Sequence, residues 1–76
     1  IDGLTMYPNP LKGNTLYLTS NANAAMSVQI FDVLGKEVLK SNVINNAVNV
    51  SGLNAGIYIV KVTEEGKTAT RKLVIQ

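Results

Sequence analysis

Seventy-six residues with no cysteine, no histidine, 46% hydrophobic side chains and a net charge of +2 specify one small domain. A chain this short buries only about 60–65% of its unfolded surface; lacking disulfides and zinc ligands, it must be held by apolar packing and backbone pairing alone. The same inventory excludes compositional disorder and a membrane-spanning helix, which needs roughly 20 consecutive apolar residues, and it removes the usual neutral-pH base and the strongest side-chain nucleophile of enzymes.

Along the chain the apolar period is two almost everywhere. It predicts seven strands, at residues 4–8, 15–20, 26–32, 36–42, 47–50, 56–64 and 68–75. Ile1 begins mid-pattern, as expected of a segment cut from something longer, and residues 1–3 read as linker. Pro8-Asn9-Pro10 forbids helix, because each proline lacks an N–H and forces its predecessor towards extended geometry. Leu16 and Leu18 then share one face, as do Val28 and Ile30. Between these runs, Asn21–Ala25 is a small-residue connector and the one place for a helical turn.

Asp32-Val33-Leu34-Gly35-Lys36 reads as a hairpin turn, with Gly35 left-handed and Asp32 bonding its own backbone. Leu53-Asn54-Ala55-Gly56-Ile57-Tyr58 reads as the approach to a tyrosine corner, in which a tyrosine hydroxyl bonds backbone a few residues upstream. Gly56 would permit a tight turn before the strand. Residues 57–62 are apolar on both faces until Lys61, the mark of a central strand. Glu64-Glu65-Gly66-Lys67 closes the last hairpin, with both glutamates expected in solvent. Seven short strands with regular turn signals imply an all-β, two-sheet sandwich of immunoglobulin-like type, with a small barrel as the alternative.

The charge is unevenly placed. Residues 1–50 cancel, whereas Lys61, Lys67, Arg71 and Lys72 against Glu64 and Glu65 carry all of the +2. Cations on a last strand protect an exposed edge, or form a basic tail for a partner. Their density is too low, and aromatics too few, for nucleic acid. The five acids lie in turns, at strand ends or at the terminus, which gives no paired-carboxylate cleft. No spaced acidic loop marks a calcium site, so no metal, cofactor or catalytic residue is assigned.

Four segments in order carry a family resemblance. They are Tyr7-Pro8-Asn9-Pro10, Val28 to Val38 around the Gly35 turn, Leu53 to Val62 with its Leu-x-x-Gly-x-Tyr pattern, and Lys72-Leu73-Val74-Ile75-Gln76. Together they resemble the type A C-terminal sorting domain of the bacterial type IX (Por) secretion system. The resemblance implies an immunoglobulin-like sandwich and a secretion signal with no catalysis of its own. It further implies an N-terminally fused cargo that transits the periplasm and outer membrane to the cell surface, translocon components as partners, and a surface-processing protease.

Lys72, Leu73, Val74, Ile75 and Gln76 are the expected signal, with Pro8, Asn9, Pro10, Gly35, Gly56 and Tyr58 as scaffold. An exposed last strand could also pair with a partner strand or a copy of itself. The rival readings are a carbohydrate-binding module, disfavoured by the absence of Trp and the presence of one Phe and three Tyr, and a fibronectin-type spacer of a secreted enzyme.

Overall fold

A strand that alternates apolar and polar residues must lay its apolar row against another surface, and seven such strands do so here as two sheets facing each other. The computed structural model describes residues 1–76. Its strands are β1 (Thr5–Tyr7), β2 (Thr15–Thr19), β3 (Met26–Phe31), β4 (Glu37–Asn42), β5 (Ala47–Asn49), β6 (Gly56–Glu64) and β7 (Lys67–Ile75). Each matches a sequence-predicted strand to within two residues at either end. Asn21–Ala25 forms no helical turn, and Asn23 takes a φ of 49° there.

One sheet has the order β1-β2-β5 and the other β4-β3-β6-β7, with antiparallel pairing throughout. Between the sheets lie thirteen buried side chains. The predicted rows are among them: Leu16 and Leu18 from β2, Val28 and Ile30 from β3, and Val60 and Val62 from β6. β6 is central in its sheet, as its sequence pattern predicts; its inner row is buried, whereas Ile57 and Ile59 on its outer face are exposed. At the N-terminus, Ile1 packs against the core, and Asp2 O accepts the Asn21 N–H at 3.0 Å.

Local chemistry fixes the turns. Asp32 Oδ1 accepts the N–H groups of Leu34 (2.9 Å) and Lys36 (3.0 Å), and Gly35 sits at φ +83°. The β6–β7 turn holds two residues, Glu65 at φ 50° and Gly66 at φ 77°, because two successive positive φ values match the right-handed twist of the flanking strands. This overturns one expectation: Glu64 belongs to β6, is only 5% exposed, and is not turn solvation. Its Oε2 accepts Ser20 Oγ at 2.5 Å and the Ala24 N–H at 3.1 Å. A buried carboxylate requires such partners, and here they lash the β2–β3 connection to β6. Glu65 is exposed, as expected.

Candidate functional site

β7 is an edge strand, and β6 fixes its register through nine residue pairs from Gly56↔Ile75 to Glu64↔Lys67. Strand alternation therefore splits the expected signal between two faces. Leu73 is fully buried and Ile75 is 7% exposed, so both belong to the core. Lys72 is exposed and Val74 half-buried on the outer face, and Gln76 is exposed just beyond the strand. The structure thus leaves Lys72, Val74 and Gln76 accessible to a partner, while Leu73 and Ile75 are held inward.

The outer edge of this segment is already occupied. After β1 the chain crosses from the smaller sheet to the larger one and runs beside β7. Tyr7–Pro8 and Asn9–Pro10 are both cis. The Asn9 side chain acts as a short piece of strand: its Nδ2 donates to Lys72 O at 2.8 Å, and its Oδ1 accepts the Val74 N–H at 3.0 Å. Leu11 continues the pairing, donating its N–H to Val74 O and accepting the Gln76 N–H, both at 2.8 Å. This Leu11↔Ile75 contact is a parallel bridge. The Leu11 side chain is buried at 1% exposure, which anchors the strap in the core.

The expected backbone pairing of the last strand with a partner is therefore corrected for Lys72–Gln76, whose outward groups Lys72 O, Val74 N–H, Val74 O and Gln76 N–H bond the chain's own strap. Further back, the Arg71 guanidinium donates to Thr70 O at 2.9 Å. Neither the Asn9 clasp nor Leu11 was legible in sequence. Two prolines signal only that the segment is not helix, and a lone leucine between Pro10 and Lys12 has no period to read.

The remaining predicted scaffold residues take local roles. The Tyr58 hydroxyl donates to Asn54 O at 2.6 Å, closing the tyrosine corner, and its ring is 8% exposed. Gly56 pairs with Ile75, and a Cβ there would meet only Tyr58 Cε2, at 3.8 Å. Gly35 turns the β3–β4 hairpin. Pro8 and Pro10 flank Asn9 on the strap, so the first and last of the four motifs meet along one edge. In the smaller sheet, Tyr7 and Tyr17 stack across β1 and β2 with ring centroids 5.5 Å apart.

Comparison with known proteins agrees with this geometry. The model of the secretion system C-terminal sorting domain matches residues 5–76. The chain is also 32% identical over 73 residues, or 95% of its length, to beta-agarase D of Zobellia galactanivorans, and it spans about 15% of that protein. The matched residues run from β1 through the clasp to the end of β7, so the chain belongs to the C-terminal sorting domains of the type IX secretion system, signals that send the proteins carrying them out of the cell.

Proposed function

We propose that this domain is read by outer-membrane components of the type IX translocon through the exposed side chains of its terminal segment, Lys72, Val74 and Gln76. Leu73 and Ile75 serve the same signal from inside, by pinning the strand so that these three project at fixed spacing. The observation that carries this reading is the clasp. Asn9 and Leu11 saturate the outward backbone groups from Lys72 to Gln76, which leaves side chains, and not a bare edge, as the means of recognition.

The domain itself performs no catalysis, and its cargo is a protein fused at its N-terminal side, an enzyme such as the agarase with a similar segment being one fitting case. A surface protease that separates cargo from label would cut before β1. The fold is best described as an immunoglobulin-like sandwich. The orders β1-β2-β5 and β4-β3-β6-β7 fit that topology with the fourth strand beside the third. The tyrosine corner sits at the start of the sixth strand, where that fold places it.

The test is export of the parent protein carrying Lys72→Ala together with Gln76→Ala. Neither change touches the core or the clasp's backbone bonds, so melting should stay within about 3 °C of wild type, as for surface substitutions in a domain of this size. The expected result is cargo retained in the cell. Normal export of the stable double variant would refute recognition through these side chains.

A further inference from the structure

The outer face of the β4-β3-β6-β7 sheet is not a uniform solvent face. Directly paired residues on neighbouring strands lie side by side, so the register places Phe31 beside Ile59, Ile59 beside Lys72, and Ile57 beside Val74. Ile57 and Ile59 are 47% and 41% exposed. In the next row Lys40, Gln29, Lys61 and Thr70 stand together. Beyond it Asn42, Ser27, Thr63 and Thr68 form a polar row. One end of the face therefore centres on apolar side chains, with Glu37 beside Phe31 and Lys72 beside Ile59 at its margins; a row with two lysines borders it, and the rest is neutral.

The β3–β4 turn leaves β3 directly after Phe31, at the apolar end. Its tip exposes Val33 at 73% and Leu34 at 90%. These two side chains contribute nothing to the core, yet the loop that carries them is rigidly built. Asp32 Oδ1 takes two N–H groups, Gly35 N–H donates to Asp32 O at 3.0 Å, and Asp32 N–H donates to Lys36 O at 2.9 Å. A turn needs neither residue to be apolar, so a preorganised loop presenting two apolar side chains beside an apolar sheet patch has the form of a binding surface.

We propose that this composite surface, formed by Val33 and Leu34 at the tip with Phe31, Ile57, Ile59 and Val74 on the sheet, docks into an apolar, acid-rimmed pocket of a protein partner. The proposal rests on the sorting function and extends the terminal signal, since Lys72 and Val74 form one border of the same face. Charge selects the partner's chemistry. Lys36, Lys40, Lys61 and Lys72 surround the patch and outnumber its two acids, Asp32 and Glu37, whose carboxylates already accept hydrogen bonds from the Leu34 and Lys36 N–H groups and from Gln29 Nε2. The sheet part of the patch argues for a protein and against a bilayer, because amphipathic helices bury their apolar face about 5–10 Å deep in lipid, whereas Ile57, Ile59 and Val74 lie on the same sheet surface as Lys61 and Lys72 and cannot follow the Val33–Leu34 tip to that depth.

The test uses the parent protein in a bacterium with the type IX machinery. Val33→Ser/Leu34→Ser should leave melting within about 3 °C of wild type yet lower export by about tenfold or more, the scale of losing one central apolar anchor; Lys40→Glu, which reverses a border charge, should lower export in the same direction at the same unchanged melting. Ile44→Ser, a change at another exposed apolar side chain, on the β4–β5 connection, should export normally.

A photo-crosslinking residue at position 34 should yield an adduct with one other protein, whereas the same residue at position 44 should yield none. Normal export of the tip variant, an adduct with a second copy of this chain, or a loss of binding by the tip variant to vesicles of phosphatidylglycerol and phosphatidylethanolamine that the wild type binds would each overturn the proposal. Deleting the whole domain separates the two readings. If cargo without the domain still leaves the cell, the sorting function itself fails; if it stays inside while the tip variant exports, only the docking surface fails.

Discussion

Replacing Asn9 with alanine removes two hydrogen bonds and little else. The side chain is exposed and spans from the strap to β7, donating to Lys72 O at 2.8 Å and accepting from Val74 N–H at 3.0 Å. Each such bond contributes about 0.5–1.5 kcal/mol net. Both freed groups on β7 can turn to water, so no penalty for a buried orphan is added, and the expected cost is about 1–3 kcal/mol. For a domain of this size that lowers the melting temperature by about 4–24 °C, out of a total stability of roughly 4–11 kcal/mol.

Asn9→Asp sharpens the test. It retains the acceptor for Val74 N–H but sets a carboxylate against Lys72 O, so it should cost at least as much as alanine. Thermal melting followed by circular dichroism gives the magnitude, and amide exchange localises it: Val74 and Gln76 should lose protection before the amides of β3 do. An Asn9→Ala protein that melts within about 2 °C of wild type, with Val74 protection intact, would refute the view that this side chain fastens the terminal strand.

Other substitutions separate local from long-range contributions. Tyr58→Phe keeps the buried ring and loses only the 2.6 Å bond to Asn54 O, so denaturant unfolding should show a loss of about 1–2 kcal/mol with an unchanged m-value. Glu64→Gln retains one acceptor for the two donors, Ser20 Oγ and Ala24 N–H, and should cost less in the same measurement than Glu64→Ala, which strands both and should lose about 2–3 kcal/mol. At Gly35 a Cβ would meet nothing within 4 Å. The cost of Gly35→Ala is then backbone alone, about 1–2 kcal/mol for holding φ +83° with a side chain; a loss in melting of under about 2 °C would show that the turn relaxes instead.

The two halves of the terminal segment should also part company on mutation. Leu73→Ala opens a cavity in the core and should cost about 2–5 kcal/mol, a large fraction of the whole. Its effect on export would then follow melting, whereas Lys72→Ala should change export at constant melting.

Sequence alone determined the strands, their inward rows and the local turns. Each of these is a short-range matter: period two decides which of Leu16, Tyr17 and Leu18 points inward, and Asp32 and Tyr58 reach partners two to four residues away. The order of the four family motifs along the chain likewise marks the sorting domain. Tertiary structure alone decided what joins distant segments. Asn9 meets Lys72 and Val74 across separations of 63 and 65 residues, and Glu64 meets Ser20 and Ala24 across 44 and 40. A single polar side chain seeking a remote backbone group leaves no period and no local propensity behind. Its role exists only once the sheets have packed and brought the two ends of the chain together along the edge of β7.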